Sequence, residues 1–159
     1  METIEQFIEI ERPVRTVYNQ WTQFEQFPQF MQGIKSVQQI DDTNMRWTAD
    51  IAGKDVTWTA KITEQEPDRV VAWQSTSGKT NNGRVRFTSN AADETLIHLE
   101  LQYEPEGFVE NVGDALGVVE RRIEGDLQNF KRFIESRGQE TGAWRGTVHQ
   151  GRETSESNS

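Results

Sequence analysis

Met45-Arg46-Trp47-Thr48-Ala49-Asp50-Ile51 and Val56-Thr57-Trp58-Thr59-Ala60-Lys61-Ile62, separated by Gly53 and Lys54, decide the fold of this chain. Successive side chains of a strand point to opposite faces, so Met45, Trp47, Ala49 and Ile51 point one way, as do Val56, Trp58, Ala60 and Ile62 on the next strand. Arg46, Thr48, Asp50, Thr57, Thr59, Lys61 and Thr63 are left to water. Two neighbouring strands with a single apolar face predict part of an antiparallel sheet that packs on one side only.

The same alternation extends both ways. Upstream, Ile4, Gln6, Ile8 and Ile10 alternate with Thr3, Glu5, Phe7 and Glu9. Downstream, Val71, Trp73 and Ser75, then Val85 and Phe87, then Ile97, Leu99, Leu101 and Tyr103 continue the apolar face. Turn residues at Asp41-Asp42, Gly53-Lys54, Glu66-Pro67-Asp68, Gly78 and Ala92-Asp93 cut residues 34–103 into about six strands.

Between the first strand and this meander, Pro13 suits a first helical turn, and Val14, Val17, Tyr18 and Trp21 recur at helical spacing. Phe24, Phe27 and Phe30 bracket Pro28, which ends or kinks a second short helix. After Pro105 and Gly107, Val109, Val112, Leu116, Val119, Ile123, Leu127, Phe130 and Ile134 step by three or four, opposite Glu110, Asp114, Arg121, Arg122, Asp126 and Lys131. This predicts a long amphipathic helix that covers the sheet and stops at Gly138. Gly113, Gly117 and Gly125 each cost such a helix about 1 kcal/mol against Ala, which close packing, a kink or room for a ligand would offset.

The length of 159 residues fits one core, and five Trp and eight Phe make that core aromatic. A net charge of -9 repels phosphate backbones and anionic membranes, so nucleic acid is not an expected partner. With no Cys, disulfides and thiolate chemistry are excluded. No segment reaches the ~18 apolar residues of a membrane span, and the acidic, alternating opening is unlike a signal peptide; the expected location is the cytoplasm.

Local wording in three places resembles one family. Residues 8–18 (IEIERPVRTVY) are similar to its first strand and helix, residues 24–31 (FEQFPQFM) to its second helix, and residues 123–135 (IEGDLQNFKRFIE) to its helix terminus. The chain is thereby identified as a member of the START-like, or SRPBCC, superfamily, in its bacterial polyketide cyclase/dehydrase branch. Gly142-Ala143-Trp144-Arg145-Gly146 is also similar to the tail of some members. The resemblance implies an α+β helix-grip (START/Bet v 1-like) fold: a curved antiparallel sheet of about seven strands around a long C-terminal helix, with two short helices after the first strand. The domain is expected over residues 1–137, followed by a polar, largely disordered tail at 138–159. Trp144 either anchors that tail on the body or is incidental to it.

The resemblance further implies a cavity between sheet and helix for a lipid, polyketide, quinone or hormone. Its expected lining is Tyr18, Phe30, Trp47, Trp58, Trp73, Ser75, Phe87, Leu99, Tyr103 and Leu116, an aromatic wall with few polar groups, as an apolar ligand site requires. The expected function is binding or transport of a hydrophobic small molecule without catalysis. One alternative is a polyketide aromatase, cyclase or dehydratase relaying protons through Ser75, Tyr18 and Tyr103; another is a protein-interaction or chaperone-like module. No catalytic residue is assigned. His98 should face solvent and His149 lies in the tail, so neither metal nor cofactor is expected. Gly78 to Gly83 joins two strands and does not open a helix, which predicts a hairpin connection instead of a phosphate loop.

Overall fold

The computed structural model describes residues 2–31, 33–51, 53–78, 81–103 and 112–153, without the side chains of residues 2, 51, 103, 112–119, 152 and 153. Among the described residues, nine strands form one antiparallel sheet: β1 (Glu2–Ile10), β2 (Ile34–Gln39), β3 (Asn44–Ile51), β4 (Lys54–Glu66), β5 (Val70–Ser77), β6 (Asn81–Ala91), β7 (Glu94–Tyr103), β8 (Val148–His149) and β9 (Arg152–Glu153). The first seven run in the order β1-β7-β6-β5-β4-β3-β2, a meander with the N-terminal strand returned beside the last. Helix α1 (Val14–Trp21) and a 3-10 helix (Phe24–Gln29) follow β1, and α2 (Val112–Arg137) follows β7.

The deciding hairpin pairs as its alternation requires. Trp47 faces Trp58, Met45 faces Ala60 and Ala49 faces Val56 across β3 and β4. Asp41 shapes the preceding turn: its carboxylate accepts the backbone N–H of Thr43 at 2.9 Å and of Asn44 at 2.8 Å. The Thr43 bond first, then the Asn44 bonds, hold its pKa below the ordinary aspartate value. Past Ile62 the β4–β5 register shifts, so burial skips from Ile62 to Gln65. A bulge inserts one residue and reverses the facing, which brings an amide into the core that strict alternation assigns to solvent.

Pro13 stands just before α1, with extended backbone, while Pro28 lies inside the 3-10 helix without ending it. Pro28 is the fifth of six residues, so its missing N–H forgoes a bond only in the last turn of a short helix. Gly138 (φ +82°) stops α2, its N–H bonding to the Ile134 carbonyl at 3.0 Å. Gly125 does not pack on the sheet: a Cβ there would meet nothing within 4 Å, so close packing does not explain it. The side-chain surroundings of Gly113 and Gly117 lie outside the described residues.

The C-terminal half of α2 is tied down by polar bonds as well as its apolar stripe. Asn129 Nδ2 donates to the Phe30 carbonyl (3.0 Å), Lys131 Nζ to the Glu9 carbonyl (2.7 Å), and Glu135 accepts the Glu11 N–H (2.8 Å). Leu127, Phe130 and Ile134 are buried beneath these tethers.

Residues 139–153 form a strap across α1 and the end of β4. Strand β8 pairs with Glu64 and Gln65, and Val148 is fully buried. Trp144 packs against the core, and its N–H donates to Thr22 Oγ1 at 3.1 Å. Arg145 donates to Asn19 Oδ1 (2.7 Å) and Asp68 Oδ2 (2.8 Å) and lies 5.5 Å from the Tyr18 ring centroid. Trp144, Arg145 and Val148 thus anchor the strap at three points, each offsetting part of the entropy of ordering it.

Candidate functional site

The inward face of the sheet divides into two ends. One end is sealed by rings. Trp21 meets Phe27, Phe87 and Phe130 edge-on at centroid distances of 5.4, 6.3 and 5.1 Å, and Phe30 meets Phe130 at 5.2 Å. Edge-to-face rings in this range interlock as a packed core does. Phe30 and Phe87, both expected to line a cavity, lie in this cluster.

Tyr18 lies here too. It is fully buried, edge-on to Phe87, and its hydroxyl accepts a hydrogen bond from Gln65 Nε2 at 3.1 Å. Burial pushes its pKa up to about 12 against the opposing Gln65 bond and Arg145 charge. It is a neutral phenol at physiological pH.

The other end lies where β3 to β7 reach their far tips. There the inward residues Trp47, Val56, Trp73 and Leu101 are only half-buried, although they continue the face that is sealed at Met45, Ile62, Val71 and Ile97. Trp47 and Trp58 stack across the hairpin, centroids 6.0 Å apart and planes 10° from parallel. Phe27 meets Trp47 edge-on at 5.7 Å and marks the boundary between the two ends. Trp58 and Leu99 are buried at that boundary. The Trp47 Nε1 is buried without a hydrogen-bond partner.

Among the described residues, polar groups at this half-buried end, called the open end below, are few. Ser75 Oγ accepts the Asn81 N–H (3.2 Å), the Ser75 N–H donates to Asn82 Oδ1 (3.0 Å), and Trp73 Nε1 donates to Asn81 Oδ1 (3.1 Å). The Ser75 hydroxyl therefore serves the hairpin backbone. Ser75 and Tyr18 are not brought together: Gln65, the partner of Tyr18, pairs with Val71, four residues along β5 from Ser75. At ~3.3 Å per residue that is ~13 Å, too far for direct proton transfer. The β7 backbone ends at Tyr103 opposite Asn81, at this same end, but the Tyr103 and Leu116 side chains lie outside the described residues.

The outer face carries His98, as its alternation predicts; it stacks on exposed Phe7 (4.3 Å, planes 4° apart) and its Nε2 meets Glu5 at 2.9 Å. Glu5, His98 and Glu100, and likewise Glu64, Glu66 and His149, bring ligand atoms within 4.8 Å of one another. Glu100, Glu64 and Glu66 are each paired to an arginine, Arg86, Arg84 and Arg69 respectively. Both groups are therefore ion-pair networks on a solvated face.

The family model described as polyketide cyclase/dehydrase and lipid transport matches residues 10–132. The chain belongs to this family. An uncharacterised 17.2 kDa protein of Streptomyces lincolnensis is 47% identical over 149 residues, spanning 93% of this chain and 99% of that one. Among solved structures, an aromatase/cyclase from a Streptomyces species superposes with a TM-score of 0.73 at 18% identity, over 90% of this chain and 99% of the other. A START superfamily protein of Mycobacterium smegmatis does so with a TM-score of 0.65 at 17% identity, over 85% and 95%. These likenesses fix the START-like helix-grip fold for this family member; at such identities they carry no chemistry. Among the described residues, no helix is long and apolar enough to cross a membrane.

The sealed-end network of Gln65, Asn19, Gln20 and Thr22 was not legible in the sequence. These residue types are ordinarily exposed, and only the bulge in β4 and the strap's return bury them.

Proposed function

We propose that this protein binds a hydrophobic small molecule at the open end of its concave face, over Trp47, Trp58 and Trp73, and does so as a carrier and not a catalyst. The observation that carries this reading is the contrast along one continuous apolar face, sealed by interlocked rings at one end and half-exposed at Trp47, Val56, Trp73 and Leu101 at the other. Apolar surface removed from water gains roughly 25 cal/mol per Å², so such a face favours an apolar occupant. Membership of a family whose description includes lipid transport supports the same reading.

The noncatalytic part rests on the polar groups. Ser75 is committed to the hairpin and Tyr18 to Gln65, and the two are not within reach of one reacting atom. Native mass spectrometry of the full chain purified from its own cells, followed by organic extraction, tests the proposal. The expected result is a co-purified apolar molecule that Trp47→Glu fails to retain. A preparation that is consistently empty, and that gains no mass on incubation with apolar compounds, overturns it.

A further inference from the structure

Gly83 occupies the interior of β6, where glycine weakens a strand unless something requires the space. A Cβ at Gly83 would lie 2.3 Å from Cζ2 of Trp73, 2.7 Å from Cε2 and 2.8 Å from Cη2. The flanking ring atoms are barely farther than the nearest, as happens when an atom approaches the face of a ring and not its edge. Trp73 is the register partner of Gly83 across β5 and β6. The indole therefore lies flat over the bare backbone of β6, on the concave side that both residues share with Val71 and Val85.

The ring is also fixed at its edge. Its Nε1 donates to Asn81 Oδ1 at 3.1 Å, and Asn81 is itself held by its N–H bond to Ser75 Oγ. One face of the indole rests on glycine and one edge is bonded, while the residue as a whole packs against the core and stays half-buried. Such a ring loses no rotamer freedom when a ligand arrives.

We propose that Trp73, laid on Gly83 and pinned by Asn81, is a stacking platform that makes the site select flat fused-ring ligands over flexible acyl chains. The proposal rests on the binding site described above and names its ligand class. A planar ring gains offset stacking on a fixed indole in addition to burial, whereas an acyl chain gains burial alone and loses the freedom of each confined bond.

Calorimetric titration of the full chain with an anthraquinone carboxylate and with palmitate tests it, since both ligands carry one carboxylate and differ in the body. The quinone should bind about tenfold more tightly, a difference within reach of one aromatic stack. Trp73→Leu should abolish that preference, and Gly83→Ala, by lifting the ring, should weaken the quinone more than palmitate. Asn81→Ala, which leaves ring and glycine in place and frees only the edge, should reduce the preference in part and provides a second test should Gly83→Ala not fold. Wild-type protein that binds neither ligand overturns the binding site and the platform together. Equal wild-type affinities, or an equal loss of both ligands in Trp73→Leu, overturn the platform and leave the site standing.

Discussion

The side-chain amide of Gln20 holds the backbone and hydroxyl of Thr141 at once: Gln20 Oε1 accepts the Thr141 N–H at 2.9 Å and Gln20 Nε2 donates to Thr141 Oγ1 at 3.1 Å. Gln20 is fully buried, and Asn19 and Thr22 beside it are bonded to Glu140, Arg145 and Trp144 of the same strap. Three polar residues of one short helix and its cap are thus satisfied by a segment about 120 positions away.

Gln20→Leu removes the amide and leaves the Thr141 N–H unpaired, so a loss of roughly 1–3 kcal/mol is expected in denaturant unfolding. Thr141→Ala keeps the backbone bond and loses only the hydroxyl, so its cost should be near 1 kcal/mol or below. Equal and negligible effects, with rapid amide exchange at Thr141 and Trp144, would show that the strap does not hold this helix.

Gly125 offers the opposite case, a residue whose replacement should help. It is exposed in the middle of α2, and an added Cβ meets open space. Gly125→Ala should therefore raise stability by about 1 kcal/mol through the unfolded state and helix propensity. Thermal unfolding with an unchanged or lower midpoint would mean that Gly125 has a role in ligand entry or helix bending that the free protein does not reveal.

Glu135 links α2 to the segment between β1 and α1 and sets part of the acid response. Burial raises its pKa, but the Glu11 N–H, the Lys131 bond and the charges of Lys131 and Arg12 outweigh it and hold the carboxyl below its ordinary value of 4.5. A depressed folded pKa contributes stability that is fully present above the unfolded value and disappears as pH falls through the folded one. Glu135→Gln should therefore be less stable than wild type near neutrality, and the gap should close under acid. Denaturant midpoints measured across that range check it; a gap that is constant with pH would show that the carboxylate's charge contributes nothing.

The fold was legible because its hydrophobic period is regular. Trp47 and Trp58 sit at matching phases of two strands, and the predicted facing is the observed pairing. What stayed hidden depends on contacts distant in sequence. Gln65 turns inward only because a bulge follows Ile62, and Arg145 finds Asp68 and Tyr18 only after the chain has closed. The candidate lining was legible by face but not by depth. Tyr18, Phe30, Phe87 and Trp73 all point inward, yet ring packing seals the first three and leaves the last half-exposed. Alternation reports which side a residue takes, and packing alone determines whether a ligand can reach it.

The five tryptophans provide the most direct test, because they divide between the two ends and each indole N–H gives a separate signal in a nitrogen–proton correlation spectrum. On titration with an apolar ligand the signals of Trp47 and Trp73 should shift in proportion to binding, while Trp21 in the sealed cluster and Trp144 in the strap stay in place. Shifts at Trp21 or Trp144 with Trp47 and Trp73 unmoved would contradict a site at the open end.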